Sequence, residues 1–199
     1  AVVLVGAMAV SMLTACGASK SSKVKDALKD FDIKMDAAMV QDTEKLMGGL
    51  QMITEKVTSG KINLNDGTGL DQVVEGFKTM TDYSFTEGSD KKYDLYIWTN
   101  GSYGRPATSG KTFYPYLMKV TSAHVSDTRL PALLDKNFIK MGEFEASDQN
   151  LEILKKVLKG VDSAGVSCQK IYGMDVLLVV VDKTETVKDY TPETIHTAA

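Results

Sequence analysis

Two cysteines, Cys16 and Cys168, and two histidines, His124 and His196, carry the most reactive side chains of this 199-residue chain. A thiol and an imidazole that folding brings together make a nucleophile and its general base. Cys168 lies in the apolar stretch "VSCQKIY" and shares a strand face with Val166, which predicts a buried, inert thiol. His124 and Asp127 form one short pair rather than a ligand set, so neither a metal nor a cofactor is expected. In "GRPATSGKT" five residues separate Gly104 from Gly110, where a phosphate-binding loop has four and runs into a helix. Ser89 and Lys92 match a Ser-x-x-Lys pair in spacing alone, inside a turn-rich segment.

Aromatic residues offer a different chemistry. Seven of the fifteen lie between Tyr93 and Tyr116. Strand alternation places Tyr96 and Trp98 on one face with Asp94 and Asn100, opposite Tyr93, Leu95 and Ile97. Such a face, with Tyr103 and Arg105 in the loop that follows, suits stacking and hydrogen bonding to a sugar or a peptide. Tyr96, Trp98, Asn100, Tyr103 and Arg105 are therefore the candidate ligand-binding residues. The competing use of the same face is cross-strand pairing beneath a helix. The loop "NGSYGRPATSG" lacks apolar residues to fold over the strand, which predicts that Tyr96 and Trp98 are at least partly exposed.

The first cysteine has its own context. Residues 1–15, "AVVLVGAMAVSMLTA", contain no charge; they are too few to cross a bilayer, which takes about 20 apolar residues, and they match the apolar core of a secretory signal. No initiator Met or basic start precedes the run, so the sequence reads as clipped at its front. The run ends in Leu13-Thr14-Ala15-Cys16-Gly17, which resembles the lipobox of bacterial lipoproteins, with the "ACGASKSS" flavour of Gram-positive members. The resemblance covers residues 1–23 and implies that the Cys16 sulfur receives a diacylglycerol, that cleavage occurs before Cys16, and that the domain sits on the extracytoplasmic face of the membrane. Two acyl chains make such an anchor durable. Residues 16–23 have the composition of a flexible tether reaching roughly 15 Å.

Elements that would position these groups follow from periodicity. Apolar residues from Val24 to Val57 recur at helical spacing, with either a break near Gln41–Thr43 or two helices in sequence expected, and an end at Gly60. Leu70, Val73, Val74 and Phe77 predict a second helix with Asp66 or Thr68 near its start. Next come strands in "YSFTEG", "KYDLYIWTN" and "TFYPYLMKV", the last an edge strand because of Pro115. Pro131 opens a helix, Ser147 caps another, and "VSCQKIY" with "DVLLVVVDK" forms a hairpin whose second strand is covered on both faces.

The expected fold is α+β, with N-terminal helices packed on a largely antiparallel sheet of about five strands. Residues 1–15 form the signal, 16–23 the tether and 24–199 one globular domain. A net charge of −3 with no basic stripe excludes nucleic acid as a partner. The functional expectation is a membrane-anchored, non-catalytic domain that binds an envelope sugar, peptide or protein. The alternative is an envelope hydrolase assembled from distant residues, recognisable by His124 or His196 lying within hydrogen-bonding reach of Cys168 or a serine.

Overall fold

A computed structural model describes residues 15–67, 69–86, 91–100 and 115–189, with side chains from residue 20 onward. In chain order its elements are α1 (Ala15–Asp30), β1 (Lys34–Met35), α2 (Ala37–Thr58), α3 (Leu70–Lys78), β2 (Tyr93–Thr99), β3 (Tyr116–Val120), α4 (Leu130–Leu133), α5 (Lys136–Met141), α6 (Asp148–Val157), β4 (Ser163–Ile171) and β5 (Met174–Asp182). The fold is α+β, built on one five-stranded sheet in the order β1-β4-β5-β2-β3. All pairings are antiparallel except the short β1–β4 pair.

The β4–β5 hairpin forms its centre. Tyr172 and Gly173 both take positive φ, 52° and 77°, which matches a two-residue turn to the right-handed twist of the strands. That turn fixes the register Ile171↔Met174 through Ala164↔Val181. Val176 to Val181 are all essentially inaccessible to solvent. Strand alternation divides them: Val176, Leu178 and Val180 pack with α2, α3 and the α4–α5 region, whereas Leu177, Val179 and Val181 pack with α1 and α6. The sheet is thus the middle of three layers. As Pro115 predicts, β3 lies at an edge, and it begins just after the proline.

Helix ends follow their capping chemistry. Asp36 accepts from Met39 N at the start of α2, Asp135 from Asn137 N and Phe138 N at α5, and Ser147 from Asn150 N at α6. Pro131 occupies the first turn of α4.

Three sequence expectations are corrected. The first helical region is two helices in sequence, one of the two expected arrangements, but they part at Asp32, whose φ is 63°, and not near Gln41–Thr43. Thr43 fills the core position there, fully buried, because its hydroxyl donates to the carbonyls of Met39 and Val40 and so needs no water. Residues 16–23 are helical, being part of α1 rather than a tether. Helix α3 begins at Leu70 after Gly69, four residues past Asp66; Thr68 lies outside the described residues. Finally, Tyr83–Thr86 form a turn with a single parallel bridge to Tyr93 instead of a strand.

Strand β4 pairs with β1 only at Ser163 and Ala164, so most of its outer edge needs other partners. Asp36 N donates to Ala164 O, Ser21 Oγ bonds both Cys168 N and Cys168 O at 2.8 and 3.0 Å, and Gln51 Nε2 donates to Lys170 O at 2.9 Å. Side chains of α1 and α2 thereby complete the ladder. Gly165 lets α2 approach, since a Cβ at this position would lie 2.2 Å from the Met39 carbonyl carbon.

Candidate functional site

Alternation along β2 is as expected, but exposure is not. Trp98 is 1% exposed and Tyr96 is 8% exposed, which overturns the expected open aromatic face. What covers them comes from far along the chain: Phe144 meets the Trp98 indole edge-on at 5.1 Å, and α6 packs beside it through Leu154 and Leu158. Among the described residues Trp98 Nε1 has no hydrogen-bond partner, and the ring is packed in the core. Burial, with the Asp94 carboxylate on the same face, pushes the Tyr96 phenol up to about 12. Asp94 itself is held by Lys119 at 2.7 Å. Asn100 lies just beyond β2, where its side chain donates to Met141 O at 2.8 Å. Tyr103 and Arg105 lie outside the described residues.

Cys168 is fully buried, as the strand pattern predicts. Burial first, and then the nearby Asp175 carboxylate, pushes its thiol up to about 12. At neutral pH it is protonated and shielded, the opposite of an activated nucleophile. His124 is in the turn after β3, accepting from Thr121 N at 3.1 Å, and burial with the charge of Arg129 lowers its pKa. The intervening strands β5 and β2 separate β4 from β3, a lateral distance of about 14 Å at ordinary strand spacing. Cys168 and His124 therefore do not form a dyad. His196 lies outside the described residues.

A hollow between α2 and α3, lined by Leu46, Leu50, Phe77 and Met80, holds about 10 Å3 of free space. That is room for a single water. Among the described residues no cluster of three or more His, Cys, Asp or Glu could hold a metal ion, and no helix is long and apolar enough to cross a membrane.

The most unusual polar arrangement is one that sequence reasoning did not single out. Asp175, at the head of β5, is 3% exposed. Its Oδ2 receives Lys20 from α1, and Lys170 from the opposite strand at 3.3 Å. Its Oδ1 is buried without a hydrogen-bond partner among the described residues, while its backbone O accepts from Phe144 N at 2.8 Å. The bond to Asp175, more than any other influence, raises the pKa of Lys20. Ser21 follows directly, locked onto Cys168. The site is thus a clamp that fastens the start of α1 to the hairpin end of the sheet. One signal pointed to it: an Asp heading an otherwise apolar strand, opposite a lysine across a two-residue turn. Cys16 is in the first turn of the same helix, about 6 Å along the axis from Lys20.

Comparison with protein-family models, curated proteins and solved structures gives no match for this chain.

Proposed function

We propose that this chain is a bacterial lipoprotein, anchored through a diacylglycerol on Cys16 to the extracytoplasmic face of the membrane, whose domain is a non-catalytic binding or interaction module. The observation that carries the reading is the contrast between the two cysteines. Cys168 is buried, with its thiol pushed up to about 12. That leaves Cys16, at the end of an uncharged run and within the lipobox-like Leu13-Thr14-Ala15-Cys16 sequence, as the cysteine for covalent chemistry.

The covered sheet supports the second half of the reading. Both faces are packed with helices, and the aromatic residues of β2 are core. Recognition of an envelope sugar, peptide or protein then belongs to the surface of the domain rather than to Tyr96 and Trp98. The hydrolase alternative loses its Cys168–His124 version on geometry.

Replacing Cys16 tests the anchor. In the lipoprotein's own membrane, Cys16→Ala is expected to leave an uncleaved precursor with no incorporated glycerol or fatty acid, because the sulfur is the acceptor. Equal cleavage and equal lipid incorporation in this variant contradict the reading.

A further inference from the structure

Helix α1 joins Cys16 to the domain without slack. It runs back along β4, with Lys34 paired to Ser163 at one end and Ser21 bonded to Cys168 at the other, and Lys20 reaches Asp175 beside the hairpin turn. Each residue of helix adds about 1.5 Å, so Cys16 stands about one turn beyond Lys20 on the side of the β4–β5 turn. An anchor there holds that end of the sheet close to whatever the lipid enters.

The surface at this end has a matching character. Met141, 41% exposed, is the one large hydrophobic residue in that state among the described residues. Its carbonyl accepts from Asn100 at the end of β2, which sets it beside the hairpin end. Exposed Lys136 and Lys140 lie on the same short helix, and Lys20 and Lys170 flank Asp175. The acidic groups nearby are Asp135, Glu143 and the buried Asp175, which Lys20 and Lys170 share, leaving that cluster with one net positive charge. Tyr172, in the hairpin turn, donates its hydroxyl to Leu134 O at 3.0 Å and ties the α4–α5 segment to the turn.

We infer that this hairpin end of the sheet is the membrane-facing surface of the domain, with Met141 at the headgroup boundary and the surrounding lysines on acidic lipid headgroups. The inference rests on lipidation of Cys16. A lysine near an anionic membrane surface gains about 1 kcal/mol, and a protein already held there by acyl chains needs no more than a few such contacts to choose an orientation.

The test uses the full lipidated chain reconstituted into vesicles of phosphatidylglycerol and phosphatidylcholine. Met141→Cys at the proposed contact and Lys159→Cys at the opposite end of the sheet are each labelled with an environment-sensitive fluorophore. Cys168 is sealed, and the Cys16 sulfur carries the lipid. Headgroup-attached quenchers are expected to quench the label at 141 several-fold more than that at 159, and the difference should shrink in vesicles of phosphatidylcholine alone. Equal quenching at both positions, or stronger quenching at 159, overturns the orientation, and a difference indifferent to phosphatidylglycerol overturns the role of the lysines. The mass of the same sample separates the two levels: a chain without diacylglycerol on Cys16 overturns both readings, whereas a lipidated chain with equal quenching overturns this one alone.

Discussion

At the scale of single residues, the fold turns groups that look reactive into structural ones. Trp98 meets Phe144 edge-on and has almost no exposure. Trp98→Ala is therefore expected to cost about 3–5 kcal/mol of folding free energy, and roughly 10 °C in Tm. Wild-type emission should be blue-shifted and resistant to quencher; red-shifted emission with little loss of stability would place the ring at the surface. Cys168 yields a prediction with a sign. Its thiol rises from an ordinary 9.0 to about 12, so between these values the unfolded chain has lost a proton that the folded chain keeps. Stability then falls as pH rises through this window, and Tyr96, raised from 10.0 to about 12, acts in the same direction. Denaturant midpoints measured from about pH 8 upward should show Cys168→Ala with the shallower decline, and an unchanged slope contradicts the assignment. A thiol reagent should reach Cys168 slowly in the folded chain and rapidly once it unfolds.

Among the elements, the edge of β4 and its two covering helices decide the architecture. Gly165→Ala forces a carbon into the Met39 backbone, which cannot yield as a side-chain tip would, so α2 must lift from β4. The expected result is a loss of several kcal/mol, beyond the usual overpacking range of about 1–3 kcal/mol, measured by chemical unfolding. Near-wild-type stability would show that α2 does not pack so closely. Lys20 and Lys170 share one buried carboxylate. Either lysine alone can be replaced at modest cost because the other remains, but Lys20→Ala with Lys170→Ala strands the Asp175 charge. The double variant should lose more than the sum of the singles, with faster amide exchange in α1; strict additivity contradicts a shared clamp. The same elements show what could be read in advance. Apolar patterning disclosed the hairpin, Pro131 disclosed the start of α4 and the Ser147 cap disclosed α6, whereas the separate helix α5, capped by Asp135, was not foreseen. The α1–α2 break was misplaced because Thr43 satisfies itself inside the core, while Asp32 takes a left-handed conformation with no Gly or Pro to announce it. "GASKSSK" reads as a tether by composition, yet its own Lys20 and Ser21 are held by Asp175 and Cys168, which are about 150 residues away in sequence.

For the whole molecule, one α+β domain has its central sheet covered on both faces and its first helix fastened at the hairpin end. The fold class was legible because apolar periodicity is local. The candidate site was not, because burial of Tyr96 and Trp98 depends on Phe144 and α6, which no local pattern connects to β2. The sequence also offers the cysteine at the end of the apolar run, and the clamp joins the helix that carries it to the sheet; an anchor on Cys16, if present as proposed, would be coupled to the domain through that helix. The central claim is that Cys16 is the lipidated N-terminus of the mature protein. Intact-mass measurement of the protein extracted from its own membrane, with fragmentation to locate the modification, tests it most directly. The account predicts a chain beginning at Cys16 and bearing diacylglycerol on that residue's sulfur; a membrane-derived chain that retains residues before Cys16, or that begins there with a free thiol, contradicts it.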